Sequence, residues 1–170
     1  MINTILFDMD GTLADTAPDL ANALNAIRIE NKLPPLAKTI IRPSVSLGGN
    51  AMIKLAFNLE QGAKGFEDIR DRFLNHYLKN IADETRLFDG MEAVLNTLEA
   101  QNKKWGIVTN KSTWLTEPLL QALELDKRSA CVVCGDTLDQ RKPHPAPILH
   151  ACKLTDSEPA DTVYIGDAER

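Results

Sequence analysis

Four short apolar runs in this chain each end in residues that can do chemistry. Asp8, Asp10, Gly11 and Thr12 follow the first run, and Thr109 and Asn110 follow the second. Asp136 follows the third, and Gly166 and Asp167 follow the fourth. Lys142 stands in the loop after the third run, within RKPHP. Carboxylates brought to one point repel each other unless a cation lies between them. Oxygen ligands without His or Cys suit a hard ion such as Mg²⁺. A lysine and a hydroxyl facing the same ion call for a second, anionic ligand, and a phosphoryl group fits. Asp8 and Asp10 are two residues apart and lean to one side of the chain. One carboxylate can then attack phosphorus while the other handles the proton of the leaving group. Gly11 lets the backbone turn tightly beside the phosphate.

The elements that must position these residues are legible around them. The runs TILFD (4–8), WGIVTN (105–110), ACVVCGD (130–136) and TVYIGD (162–167) are rich in β-branched residues. Continuous apolar runs are what buried parallel strands require. Between them, Met91, Val94, Leu95 and Leu98 follow a helical spacing after Gly90. Leu115, Leu119 and Ala122 mark a second helix, with Pro118 near its start or at a kink. Pro147, Ile148 and Ala151 mark a third. Strands alternating with helices predict an α/β fold, a Rossmann-like doubly wound parallel sheet. In such sheets ligands bind beyond the carboxyl ends of the strands, where the polar residues stand.

The stretch from about Ala17 to Arg86 holds no strand-like run. Leu20, Leu24 and Ile27 share a helical face. So do Met52, Leu55, Ala56 and Leu59, and so do Phe66, Ile69, Phe73 and Tyr77. Thr16 is placed to cap the first of these helices, with Pro18 in its first turn. The expected organisation is therefore an α/β core from 1–16 and 87–170, with an all-helical insert over 17–86.

Composition bounds the partners. The chain has 170 residues, 44% of them hydrophobic and 25% charged, with 19 basic and 24 acidic side chains and a net charge of −5. That balance gives no broad basic surface for nucleic acid. No segment reaches the roughly 18 apolar residues of a membrane helix. The first apolar run is broken by Asp8 and Asp10, and no basic region precedes it, so it is not a signal peptide. The expected compartment is the cytoplasm, and three cysteines make a poor disulfide framework. Cys131 and Cys134 form a C-x-x-C, but residues three apart on a strand point to opposite faces, and no second pair completes a zinc site. They read as small apolar residues of a buried strand.

DMDGTLADT (8–16) resembles the first signature of the haloacid dehalogenase superfamily of phosphatases. VTN (108–110) resembles the second, Lys142-Pro143 the third, and GDAER (166–170) the start of the fourth. The helical insert sits where this superfamily places its cap. The resemblance implies that Asp8 is the nucleophile that becomes an aspartyl-phosphate. Asp10 would protonate the leaving alcohol and then activate water. Thr109, with Asn110 beside it, would hold phosphate oxygens, and Lys142 would tie nucleophile and phosphate together. Asp8, the backbone carbonyl of Asp10 and Asp167 would hold Mg²⁺. Asp15 would serve the loop at the cap rather than the chemistry. Within the superfamily, LFDMDGTLADTAPDL, LFDGM (87–91), KWGIVTNK (104–111) and ACK (151–153) look most like the phosphoglycolate phosphatases and the bacterial N-acetylmuramic acid 6-phosphate phosphatases.

The implied substrate is a small phosphomonoester, hydrolysed by a monomer or homodimer. Specificity is expected from the insert, where SLGGNAM (46–52) is the candidate loop. Gly48 and Gly49 would let its backbone approach a ligand, and Arg42 and Lys54 flank it to meet a substrate carboxylate. The alternative is that LGG merely joins two helices. Two other readings share the carboxylates: a β-phosphoglucomutase-like mutase, which returns phosphate to a sugar, and a receiver-type phosphoacceptor domain, which does not turn over. A haloacid dehalogenase would need neither Asp10 nor Mg²⁺. His144 and His150 read as loop and helix-surface residues, and Trp105 and Trp114 as packing residues. The chain stops at Arg170, before a second Asp of the fourth signature. A helix and a further strand, about 15–20 residues, normally follow such a run. The expectation is a core lacking its C-terminal part, with the fourth strand on an exposed apolar edge.

Overall fold

Runs of β-branched and aromatic residues with few charges form the central sheet. A computed structural model describes residues 1–168; Glu169 and Arg170, the end of the expected fourth signature, lie outside the described residues. In chain order the elements are β1 (Thr4–Phe7), β2 (Ala14–Asp15), α1 (Ala17–Glu30), α2 (Lys38–Val45), α3 (Gly49–Phe57), α4 (Phe66–Lys79) and β3 (Arg86–Leu87). They continue as α5 (Met91–Ala100), β4 (Lys104–Val108), α6 (Thr113–Ala122), β5 (Val132–Val133), α7 (Ala146–Leu154) and β6 (Thr162–Ile165). The main sheet is parallel, in the order β5-β4-β1-β6. Thr4 stands opposite Lys104 on one side and Thr162 on the other, so β1, β4 and β6 end level with one another. That common end carries Asp8, Thr109 and Gly166-Asp167.

The chain divides into two compact units, Met1–Asp15 with Arg86–Arg170, and Thr16–Thr85. The first unit is the α/β layer. Leu6, Val108, Cys131, Val133 and Ala151 form its buried cluster, with Ile148 and Tyr164 against it. Cys131, Cys134 and Cys152 are free and buried. Burial pushes the Cys131 thiol up to about 11, helped by the neighbouring Cys152, which makes it an inert packing residue. Trp105 is buried, and its indole N–H donates to Glu99 Oε1 at 3.0 Å. Trp114 is 43% exposed. On β6 at the sheet edge, Val163 and Ile165 are exposed.

The second unit is built from α1–α4 packed on one another. Leu24, Ile27, Ile41, Ile53, Phe73 and Tyr77 are fully buried. Asp19, buried in the first turn of α1, accepts from the Glu84 and Thr85 amides and from the Thr85 hydroxyl at 2.7 Å. The unit is thereby tied from its first helix to its last residues. The Arg28 guanidinium is also buried and donates to the Pro34 and Ala56 carbonyls.

Several local expectations need correction. The third apolar run yields only a two-residue strand, because Cys134 turns back to accept the Thr137 amide through its carbonyl at 3.2 Å. Val94 and Leu55, expected on buried faces, are 45% and 43% exposed, while Ile53 takes the buried place on α3. Leu59 lies beyond α3, which ends at Asn58 in a left-handed conformation. Pro118 sits inside α6 rather than near its start. Thr16 occupies the N-cap of α1, but its side chain makes no cap hydrogen bond. An extra helix, α2, carries Arg42, and a small antiparallel pair joins Ala14 to Leu87 and Asp15 to Arg86.

Candidate active site

The Asp8 amide donates to the Ile165 carbonyl at 2.8 Å, extending the ladder one residue past β1 and fixing Asp8 at the sheet's carboxyl end. The chain then curls. Gly11 has φ 79, a left-handed conformation that glycine adopts without strain, and its amide donates to the Ala14 carbonyl at 3.1 Å. The Leu13 and Ala14 amides donate back to the Met9 carbonyl at 3.1 and 3.0 Å. Met9 and Leu13 are fully buried and anchor this curl from below.

Asp8 Oδ1 accepts the Met9 amide at 2.8 Å, and its Oδ2 lies 2.8 Å from Lys142 Nζ. Both side chains are nearly enclosed, at 11% and 6% exposure. The Lys142 ammonium also donates to the Val108 carbonyl at 2.8 Å and to the Tyr164 hydroxyl, with the Tyr164 ring 4.9 Å away. The Lys142 carbonyl accepts from Asn110 Nδ2 at 2.9 Å, so the second strand end holds the backbone of the lysine loop. Asn110 Oδ1 is buried and finds no hydrogen-bond partner among the described residues. Thr109 is buried. Its amide continues the ladder to Val133, and its hydroxyl oxygen accepts the Lys111 amide at 3.1 Å, which leaves the O–H as a donor. Asp10 Oδ1 pairs with Lys111 Nζ at 3.1 Å. Thr12 Oγ1 donates to Asp167 Oδ1 at 3.4 Å, linking the first and fourth strand ends.

The structure thus joins Asp8, Lys142, Asn110, Thr109, Asp10, Thr12 and Asp167 by direct or one-residue links at one end of the sheet. Asp136 does not take part. Its Oδ1 accepts the Thr113 amide at 2.9 Å and the Thr113 hydroxyl at 2.6 Å, so it serves the start of α6. Burial raises its pKa, but the Thr113 donors outweigh that and hold its carboxyl below the usual range. His144 Nδ1 accepts the Ala146 amide at 3.1 Å, a loop role. In the second unit, Arg42 stands on α2, Gly48 caps α3 with φ 90, and Gly49 is already the first residue of α3. Ser46–Gly48 therefore does join two helices. Lys54 pairs with Glu60 at 2.6 Å on the exposed surface.

Tyr164 and Gly135 were not singled out from the sequence, and for Lys111 the sequence left contact with substrate open. Lys111 has a side chain only 6% exposed. Its signal is its place directly after Thr109-Asn110, but burial of a lysine stem is a tertiary property. Tyr164 meets Lys142 because it lies two residues before Gly166, on the cluster-facing side of β6. Gly135 packs so closely that a Cβ there would lie 2.2 Å from the Asn110 carbonyl oxygen.

The donor set suits a hard cation. Among the described residues joined here, the carboxylates of Asp8, Asp10 and Asp167 outnumber the ammonium groups of Lys111 and Lys142, leaving a residual negative charge. Among the described residues no three His, Cys, Asp or Glu side chains lie close enough to hold a metal by themselves.

Residues 5–170, with the parallel sheet and its carboxylate–lysine end, match the family model of the haloacid dehalogenase-like hydrolases. The chain belongs to this enzyme family. It is 41% identical over 166 residues to the N-acetylmuramic acid 6-phosphate phosphatase of Pseudomonas putida, covering 98% of this chain and 74% of that protein. It is likewise 41% identical over 167 residues to the phosphoglycolate phosphatase of Xanthomonas campestris pv. campestris, covering 98% and 75%. Among solved structures, a predicted phosphoglycolate phosphatase from Haemophilus somnus superposes with a TM-score of 0.86 at 28% identity, over 98% of this chain and 77% of that one.

Proposed function

We propose that this chain is a Mg²⁺-dependent phosphatase that hydrolyses a small carboxylated phosphomonoester through an aspartyl-phosphate on Asp8. The observation that carries the reading is the enclosed Asp8–Lys142 pair at the carboxyl end of β1, with Asp10 two residues on. Names of relatives near 40% identity support the substrate class, since phosphoglycolate and N-acetylmuramic acid 6-phosphate both carry a carboxylate.

Asp8, Asp167 and the Asp10 carbonyl would hold Mg²⁺, which when bound supplies positive charge against the phosphate oxygens. Asp8 Oδ forms the bond to phosphorus as the bond to the leaving alcohol breaks. Asp10, protonated, gives its proton to that alcohol. The Asp10 carboxylate then takes a proton from water, which attacks the phosphoryl group, releases phosphate and restores Asp8. Lys142 and the Thr109 O–H hold the phosphate oxygens, and the tight turn at Gly11-Thr12 gives the phosphate room. Asn110 keeps the lysine loop in place. Thr16–Thr85 is assigned as the cap, with Arg42, Gly48 and Gly49 assigned to substrate recognition.

The test is phosphate release from phosphoglycolate, N-acetylmuramic acid 6-phosphate and hexose phosphates with Mg²⁺, and its loss with a chelator. Turnover of a carboxylated ester that a chelator abolishes supports the reading. Chelator-insensitive release of halide from haloacids contradicts it.

A further inference from the structure

Lys111 is the second buried cation of the site, and the chemical steps proposed for Asp8 and Asp10 give it no part. Its side chain is 6% exposed, its ammonium lies 3.1 Å from Asp10 Oδ1, and Asp10 itself is 19% exposed. Its backbone is held from both sides. Its amide donates to the Thr109 hydroxyl at 3.1 Å. Its carbonyl accepts the Gly135 amide at 2.9 Å and the Thr116 hydroxyl at 3.4 Å. An enclosed lysine stem has already lost its rotamer freedom on folding, so its ammonium is a fixed point rather than a mobile surface charge.

From this geometry we infer that Lys111 is a positioning residue for Asp10: by holding Oδ1 it fixes the plane of the carboxyl group that delivers a proton to the leaving alcohol. The inference rests on the phosphatase reading above. An aspartate on a curled loop has two side-chain torsions. Pinning one oxygen at a site also anchored to the Thr109 hydroxyl sets the carboxyl group relative to the phosphate-binding strand end. Proton transfer needs the donor within hydrogen-bond reach and in line with the departing oxygen, and a small misplacement costs rate steeply. The step balances: the Asp10 proton ends on the alcohol, and the electron pair of the broken P–O bond stays on that oxygen.

The test compares two esters without a carboxylate, with phosphoglycolate as the carboxylated control. Glycerol 2-phosphate releases an alkoxide that needs a proton, and p-nitrophenyl phosphate releases a phenolate that does not. The quantity read is kcat/KM, which reports the steps up to alcohol release. Lys111→Met is expected to lower kcat/KM on glycerol 2-phosphate by about 10- to 100-fold, within the range of general acid catalysis, and on p-nitrophenyl phosphate by less than about threefold. Lys111→Arg is expected to restore most of the loss. Retained nitrophenyl ester activity shows that the Lys111→Met chain is folded. Equal losses on both esters, or a loss confined to phosphoglycolate, overturn the inference: the first is a structural role and the second is carboxylate binding. Full activity of Lys111→Met on glycerol 2-phosphate, with wild type turning over both esters, overturns this inference alone. A wild-type chain that releases phosphate from none of the esters, phosphoglycolate included, overturns the phosphatase reading with it.

Discussion

Asp8 and Lys142 each meet several partners in almost no solvent, so their pairing bears on stability as well as on chemistry. Removing one member of an enclosed ion pair leaves the other charge buried without compensation. Lys142→Met, which keeps the volume of the stem, is therefore expected to cost about 3–5 kcal/mol in a denaturant titration. Asp8→Asn is expected to cost less, because Lys142 keeps the Val108 carbonyl and the Tyr164 hydroxyl. An equal or reversed order contradicts the account of this pair. The residue types at the four strand ends, and their order, are what made this region legible in the sequence. Lys111 and Tyr164 were not, because a lysine or tyrosine in a strand or loop reads the same whether its stem is buried or solvated. Lys54 shows the converse: its type suited an anion, but only the fold reveals Glu60 beside it.

Among the elements, the strands were legible because a buried parallel strand is a continuous apolar run, whichever face is read. Helix faces were less so. Val94 and Leu55 keep the helical spacing yet face outward, since spacing fixes which residues share a face but not how wide the covered stripe is. The two-residue pair of β2 and β3 has too few residues to carry any periodicity. Close approach of loops is equally silent in sequence. Gly135 lies on the Asn110 backbone, where a Cβ would sit 2.2 Å from a carbonyl oxygen. Gly135→Ala is expected to push the Thr109–Lys111 turn away from β5, costing about 1–3 kcal/mol in thermal or denaturant unfolding and lowering turnover together. Unchanged activity contradicts the role given to that turn. The α6 start gives a pH prediction. The Asp136 carboxyl sits below its usual range in the fold, so its contribution is present above the unfolded value of about 3.9 and is lost as pH falls through the depressed value. Wild type is expected to lose stability relative to Asp136→Asn only below about pH 4, as read by unfolding midpoints across an acid series.

As a whole, the molecule is one α/β unit interrupted by one helical unit, entered after Asp15 and left before Arg86, two residues that pair in the antiparallel strands. This two-part organisation was legible as a change of hydrophobic period, from continuous runs to helical spacing and back. Its edges, read at 17–86, lie one residue from the division at Thr16–Thr85, while the tie of Asp19 to Thr85 across 66 residues that closes the unit is not visible in the sequence. The first unit carries the reacting groups, so the claim that matters most is a covalent one: phosphate passes through Asp8. It is tested most directly by phosphate release from phosphoglycolate and N-acetylmuramic acid 6-phosphate with Mg²⁺, measured side by side for wild type and Asp8→Asn. The account predicts steady release by wild type and, with the nucleophile replaced by an amide, release reduced to background by a chain that still folds. Full activity in Asp8→Asn would contradict it.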